Sequence, residues 1–373
     1  MRVLILGNTS SVFPKELRDE LSKKAIKASL LDNKTLELFL DGLSVDRSYL
    51  LKFKKYRNIP KVNVLVKLFL IGKIIKYNNF DVVNIHYSFW QAIILLILFR
   101  KLNVKFIITF YGSDFYRSSL KMKKKQTLLY RLANALTFTN PVTKEEFVNL
   151  YHDFEEKSYV CRFGLKTLDY IDKNREKSKA HIKKHLNYKI DKVIVTCGYN
   201  ATKAQQHEKI INELSSLDAN LLSKIQFIFP LTYGDERNRD RVKNLLKESE
   251  LDYLVLDKFL YEDDNAYIKL GSDIMINVLQ TDSFSGSMQE FLYAENIVIT
   301  GKWLPYTVLD NHGIKYIKID QIENALGSKL NYAVENISSL KKELEININI
   351  VSRLSSWNNT IDRWLDTFEN TQK

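Results

Sequence analysis

Cysteine is nearly absent: of 373 residues only Cys161 and Cys197 are cysteine, both inside strand-like runs and far apart in sequence. Two such residues exclude a disulfide framework and fit a reducing cytoplasm. Long hydrophobic runs are lacking too. The longest, F-W-Q-A-I-I-L-L-I-L-F at 89–99, is about half of what a membrane span needs and is expected to be a helix buried against a sheet. Trp90 and Phe99 leave a monotopic membrane contact open. The N-terminus runs directly into an apolar strand at 2–6, with no basic region, longer apolar core and cleavage site before it, so no signal peptide is expected. D-x-D and His/Cys ligand clusters are also missing, and no metal site is predicted. Glu262, Asp263 and Asp264 read as the acidic start of a helix. No internal repeat, low-complexity tract, helix-turn-helix, zinc-finger or RNP pattern occurs.

The composition present is globular, 45% hydrophobic and 27% charged, and the length favours two domains, each with its own core. Charge is uneven. The net charge is +12, yet 44–130 holds about 17 Lys or Arg against only Asp46, Asp81 and Asp114. A polyanionic surface such as phospholipid headgroups, or a lipid diphosphate, fits this excess. Nucleic acid competes on charge but brings no recognition motif, and a solvated lysine-rich face is the plain alternative.

Apolar periodicity predicts strands at 3–6, 28–31, 82–86, 106–110, 136–139 and 159–162, alternating with helices at 14–24, 61–76, 89–100, 123–133 and 143–150. The basic stretch 45–59 breaks the rhythm as a surface loop, and the charged stretch 155–186 marks a boundary. Alternation then restarts with strands at 192–197, 226–230, 253–256, 274–278, 297–300 and 316–319. The helices predicted between and after them lie at 206–217, 238–247, 265–270, 287–294, 321–334 and 340–354. The predicted class is α/β, two doubly wound Rossmann-like domains at 1–170 and 171–355 with a cleft between them. A C-terminal helix at 356–373 is placed to cross back onto the first domain.

Four loops at predicted strand ends carry candidate chemistry. Residues 281–290, T-D-S-F-S-G-S-M-Q-E, form a polar turn that opens a helix, where free N–H groups and the helix dipole favour an anion. Ser285, Gly286 and Ser287 would supply that turn, with Ser283 before them. Glu290, one turn further in, suits a ribose hydroxyl. The alternative is that the serines only compete to cap the helix. G-Y-N-A-T-K at 198–203 offers close backbone approach at Gly198 and Asn200 and countercharge from Lys203 for a diphosphate. P-L-T-Y-G-D at 230–235 adds Tyr233 and Gly234. In the first half, T-F-Y-G-S-D at 109–114 places Tyr111, Gly112 and Asp114 after a buried strand, with Asp114 projecting and His86 ending a neighbouring strand. A turn aspartate and a structural histidine are the alternatives there. Gly301 to Tyr306 follows a later strand, and Trp303 could stack on a ligand or pack beneath a loop.

The spacing from Asp282 to Glu290, followed by F-L-Y-A-E-N-I-V-I-T, resembles the E-x7-E element of family 4 retaining glycosyltransferases of the GT-B fold. G-S-D at 112–114 is similar to that family's first-domain loop. G-Y-N-A-T-K-A-Q-Q-H and P-L-T-Y-G-D are similar to G-N-S-x-x-x-x-N-N-H and P-L-S-Y-G of a second GT-B family, the transferases of 4-acetamido-4,6-dideoxygalactose to a lipid-linked saccharide. The resemblance implies that Glu290 holds the ribose, that 283–287 face donor sugar and diphosphate, and that Lys203 contacts the diphosphate. Gly198, Asn200, Tyr233 and Gly234 would complete the donor site. Asp114 would be a general base and Asp282 a catalytic carboxylate, with His86, Tyr111 and Gly112 at the acceptor. Asp282 stands where the family has glutamate, Tyr111 where it commonly has histidine, and the loop from Gly7 to Ser11 lacks paired glycines. The two families differ in anomeric outcome, which stays open.

The expected function is therefore metal- and cofactor-independent transfer of a sugar from a nucleotide-diphosphate-sugar to a lipid-linked saccharide, in surface polysaccharide synthesis. The expected setting is cytoplasmic and peripheral at the anionic inner face of the membrane, without nucleic acid as a partner. A non-catalytic GT-B-fold subunit of a glycosylation complex is the alternative, and an epimerase or pyruvyltransferase of similar architecture is another.

Overall fold

The computed structural model describes residues 1–8, 11–32, 38–39, 59, 62–87, 90–99, 103–282 and 284–372. The predicted loop at 45–59, apart from Ile59, and Thr9, Ser10, Phe89 and Ser283 lie outside them. The chain divides into two compact units: 1–164 with 357–373, and 165–356.

In the first unit the strands are β1 (Arg2–Gly7), β2 (Lys27–Asp32), β3 (Leu38–Phe39), β4 (Val82–His86), β5 (Lys105–Phe110), β6 (Ala135–Phe138) and β7 (Ser158–Val160). They form one sheet in the order β3-β2-β1-β4-β5-β6-β7, parallel except for the β2–β3 pair. The central strands are apolar on both faces because helices cover both. Leu4, Leu6, Val83, Ile85, Ile108 and Phe110 point into one core, whereas Val3, Ile5, Val82 and Ile107 point into another. That split follows from the two-residue alternation of a strand. The predicted helix at 89–100 is a 3-10 turn, Trp90–Ala92, followed by a helix over Ile93–Phe99.

The C-terminal helix Trp357–Asn370 belongs to this unit and closes its second core. Trp357, Ile361, Trp364 and Phe368 recur on one helical face and are buried. Their polar ends are satisfied: Trp357 Nε1 donates to Glu16 at 2.8 Å, and Trp364 Nε1 to the Arg162 carbonyl at 2.8 Å. Gly164 is required beneath it, since a Cβ there would lie 2.3 Å from Trp357 Cγ.

The second unit contains β8 (Val193–Cys197), β9 (Ile225–Pro230), β10 (Tyr253–Leu256), β11 (Ile274–Asn277), β12 (Ile297–Gly301) and β13 (Ile317–Ile319). They form a wholly parallel sheet in the order β10-β9-β8-β11-β12-β13. The charged stretch 155–186 holds two short helices of this unit, Thr167–Asn174 and Lys179–His185, whose charges lie around a buried seam of Leu168, Ile171 and Ile182. In both sheets the strand order runs one way from a central strand and then reverses: between β1 and β4, and between β8 and β11. Crossovers there leave to opposite sides, which opens a crevice at the carboxyl ends of the two strands. Among the described residues no helix is long and apolar enough to cross a membrane.

Removing the Trp364 ring empties the centre of the second core. Trp364→Ala is expected to cost about 3–5 kcal/mol in urea unfolding. A loss below about 1 kcal/mol would contradict this packing.

Candidate functional site

At the reversal in the second unit, β8 and β11 are paired neighbours with Cys197 opposite Ile276. The loops that follow them are the 198–206 turn and the 278–285 segment. They are tied together: Gln206 Nε2 donates to the Val278 carbonyl at 2.7 Å, and the Gln280 N–H to the Ala204 carbonyl at 2.9 Å. Trp303, leaving β12, holds the second loop from its other side through Nε1 to the Leu279 carbonyl at 2.7 Å. Trp303 is thus packed against a loop, one of its two expected roles.

Gly198 adopts φ +67°, and a Cβ on it would stand 2.6 Å from Gln205 Oε1. Only glycine fits there. Asn200 folds the turn by accepting the Thr202 N–H at 2.9 Å, and its amide nitrogen lies 3.4 Å from Tyr233 Oη. The loop after β9 closes on the same turn. Ala201 donates to the Tyr233 carbonyl at 2.7 Å, and Gly234, at φ +119°, passes so close to Thr202 that a Cβ would meet its nitrogen at 2.9 Å. Asp235 caps the next helix, Glu236–Glu248, by accepting from Arg237 and Asn238. Lys203 is exposed and forms no ion pair among the described residues. An exposed lysine beside a turn of closely approachable backbone suits an anion.

The helix Gly286–Tyr293 starts at this edge. Ser285 is its N-cap, accepting the Met288 N–H at 3.1 Å, which leaves the Gly286 and Ser287 N–H groups at the dipole's positive end. Among the described residues the cap is thus Ser285, and Ser287 sits inside the first turn. One turn on, Glu290 is almost enclosed, and its Oε2 lies 3.0 Å from Lys269 Nζ. Lys269, on the helix Glu262–Gly271, is itself buried and also bonds Asn265. Partial burial raises the Tyr233 phenol above its ordinary range; the Asn200 side chain offsets some of this and the Glu290 charge adds to it.

Asp282 is bound by the Tyr306 hydroxyl, which also accepts from Asn277 Nδ2 at 3.1 Å. Burial first, and then the Asp282 charge, push the Tyr306 and Tyr199 phenols well up, so both remain protonated donors beside that carboxylate. Five regions therefore meet at one sheet edge: Gly198 to Lys203, Tyr233 and Gly234, Asp282, Ser285 to Ser287, and Glu290. Lys269 is not singled out from sequence, and Tyr199 and Tyr306, which lie in named loops, are given no part there in holding Asp282. The one legible hint was Lys269, a lone cation in the otherwise apolar run Y-I-K-L.

The first unit arranges its candidates differently. His86 is enclosed: its Nδ1 faces Tyr111 Oη at 2.8 Å, and its ring stacks 6.3 Å from Trp364. Burial lowers its pKa to about 3, so the imidazole is neutral and shares one hydrogen bond with the Tyr111 hydroxyl. Asp114 does not project. It is 3% exposed and accepts the Tyr111 N–H at 3.0 Å, the geometry of a turn aspartate. Gly112, at φ +91°, makes that turn. Among the described residues at the β1/β4 reversal, Tyr87 is exposed and holds φ +69°, uncommon for a bulky residue.

Two successive doubly wound units, with clustered loops at the second unit's reversal, define the GT-B glycosyltransferase fold. Residues 2–140 match the glycosyl transferase 4-like family. A glycosyltransferase from Rickettsia africae is similar over the whole chain, with 18% identity, 98% of its own length covered and a TM-score of 0.74. Anabaena Alr3699/HepE, solved with UDP and glucose, is similar over 99% of this chain and 100% of its own, at 12% identity and a TM-score of 0.74. The UDP-GlcNAc 2-epimerase of Neisseria meningitidis, bound to UDP-GlcNAc, covers the same shares at 14% identity and a TM-score of 0.63. No curated protein sequence matches the chain.

Breaking the Lys269–Glu290 pair leaves a buried carboxylate uncompensated. Lys269→Met should lose about 3–5 kcal/mol by chemical denaturation, with part regained on adding Glu290→Gln; a neutral single variant would contradict the pairing. A second expectation concerns acid. Burial lowers His86 to about 3 and His207, with some offset from the Cys197 backbone, to about 4. Unfolded histidine titrates near 6.5 and takes up protons that these folded rings refuse. Stability is full above about pH 6.5 and falls toward pH 4, by about 1.4 kcal/mol per pH unit for each histidine. His86→Gln should flatten that slope in urea titrations at successive pH values.

Proposed function

We propose that the protein is a glycosyltransferase that takes its sugar from a nucleotide-diphosphate-sugar bound at the β8/β11 reversal. The observation that carries this is the convergence there of an exposed lysine, the open first turn of a helix and a nearly buried carboxylate. The diphosphate would lie against the backbone at Gly198 to Thr202 and the Gly286 and Ser287 amides, with Lys203 supplying countercharge. Glu290, oriented by Lys269 through one oxygen, would accept the ribose hydroxyls through the other. Asp282, held by Tyr306, would bind hydroxyls of the donor sugar.

Bond breaking to the sugar leaves charge on the departing diphosphate. Donors already aimed at that position stabilise it without reorganising. Lys203 and the helix amides meet that need, and no metal ion is assigned a part. The UDP complexes of Alr3699/HepE and the UDP-GlcNAc complex of the epimerase support a uridine nucleotide as the first donor to test. For the acceptor, we infer a lipid-linked saccharide in surface polysaccharide synthesis, met at the Tyr111 and Gly112 turn by a protein peripheral to the cytoplasmic membrane face. The basic excess of the first unit supports a polyanionic setting for it.

A thermal-shift screen across UDP-, GDP- and dTDP-sugars should raise the melting temperature with one nucleotide class, since a ligand bound only by the native state stabilises it. Glu290→Ala should abolish that shift. Lys203→Ala should lower the turnover rate by roughly 100-fold or more, and excess EDTA should leave turnover unchanged. Absence of any shift, or a Glu290→Ala variant that binds and transfers normally, would overturn the proposal.

A further inference from the structure

Three helices of the first unit pack side by side on one face of its sheet: Val62–Asn78, Ile93–Phe99 and Leu120–Leu132. Together they contain no Asp or Glu. Among their described side chains, the exposed ones are large apolar groups and cations. On the first helix Leu65, Phe69, Lys73 and Tyr77 follow one another at four-residue steps and so form one row along the surface. Leu65, Phe69 and Tyr77 are exposed, and Lys73 Nζ lies 5.3 Å and 5.6 Å from the Phe69 and Tyr77 ring centres. The second helix exposes Ile97 and Leu98. The third exposes Leu120, which is 78% accessible, and Leu128 beside Lys121, Lys124 and Lys125. Lys125 Nζ stands 5.2 Å from the exposed Trp90 ring, joining the third helix to the turn before the second.

Scattered exposed leucines are ordinary on a soluble protein. Here they recur on adjacent helices, interleaved with lysines and without one carboxylate. Among the described residues Lys73, Lys76, Lys121, Lys124 and Lys125 enter no ion pair. A second copy of the chain would set these cations against each other. A surface that accepts both side-chain types at once is an anionic lipid bilayer: apolar groups enter the acyl boundary while lysines reach the headgroups.

We propose that this three-helix face docks the protein on an anionic lipid bilayer, lying on the surface without crossing it. The purpose, reaching a lipid-borne acceptor, rests on the transferase proposal; the binding itself does not. Attachment through a single shallow face is reversible and has two separable parts. The lysines give a salt-sensitive attraction to anionic headgroups, and Leu65, Phe69, Leu98 and Leu120 give a component that depends on insertion.

The test is flotation of the full chain with vesicles of phosphatidylcholine, alone or with about one-third phosphatidylglycerol. The protein is expected to float with the anionic vesicles, to weaken more than tenfold on raising salt from about 50 to 500 mM, and to stay in solution with neutral ones. Lys121→Glu/Lys124→Glu/Lys125→Glu should abolish flotation. Phe69→Ser/Leu98→Ser should weaken it by tenfold or more at physiological salt. Both variants lie on exposed positions and should keep the wild-type circular dichroism, melting temperature and nucleotide-sugar thermal shift. No flotation, equal flotation on neutral vesicles, or variants that float like wild type would overturn the proposal. So would a dimer in wild type that either variant dissolves. Flotation without any nucleotide-sugar binding would leave the docking face standing and remove the transferase proposal.

Discussion

A parallel sheet must reverse its winding somewhere if both faces are to be covered, and at the reversal two neighbouring strands send their connections to opposite sides. In the second unit that constraint falls between β8 and β11. Everything assigned to the candidate site depends on it. Strand pairing fixes where Cys197 and Asn277 end, and the loops leaving them are locked by Gln206, Gln280 and Trp303. The backbone at Gly198, the exposed Lys203 and the helix opening at Gly286 then share one edge because the sheet gives them no other place.

Around that edge, polar groups are arranged at two depths. The outer group, Lys203 and the first-turn amides, is open to a ligand. The inner group is already spoken for: Lys269 on Glu290, Tyr306 on Asp282, Asn277 on Tyr306. Buried carboxylates are stable only with such partners. One oxygen of Glu290 is held by Lys269, so the carboxylate is oriented before any ligand arrives. That preorganisation costs the protein a buried ion pair, which an apolar pair would replace at no loss of stability if nothing else required the charge.

Much of the fold was legible in the sequence because its signals are local. Runs such as V-L-I-L and I-M-I-N, separated by amphipathic stretches, predict alternating strands and helices, and all the central strands occur where predicted within a residue or two. The β2–β3 antiparallel pair was missed because a strand of two residues has no period to detect. Strand order was not legible at all. Which loops become neighbours depends on pairing between strands up to 80 residues apart, such as Ile194 with the Asp273 region. The positive-φ glycines at 198 and 234 were recognisable as turn residues, yet what makes them obligatory is contact with Gln205 and Thr202. Lys269 as a site residue, and the bond of Tyr306 to Asp282, were invisible for the same reason: each reaches its carboxylate only through the tertiary fold. Asp114 and His86, by contrast, looked functional from position and are held by Tyr111 in a closed local arrangement.

The most direct measurement is a crystal structure of the full chain soaked with UDP. A nucleotide site at the β8/β11 reversal predicts diphosphate density against Gly198 to Lys203 and the Gly286 and Ser287 amides, with the ribose hydroxyls on Glu290. Density for UDP anywhere else on the molecule, with those residues untouched, would contradict it.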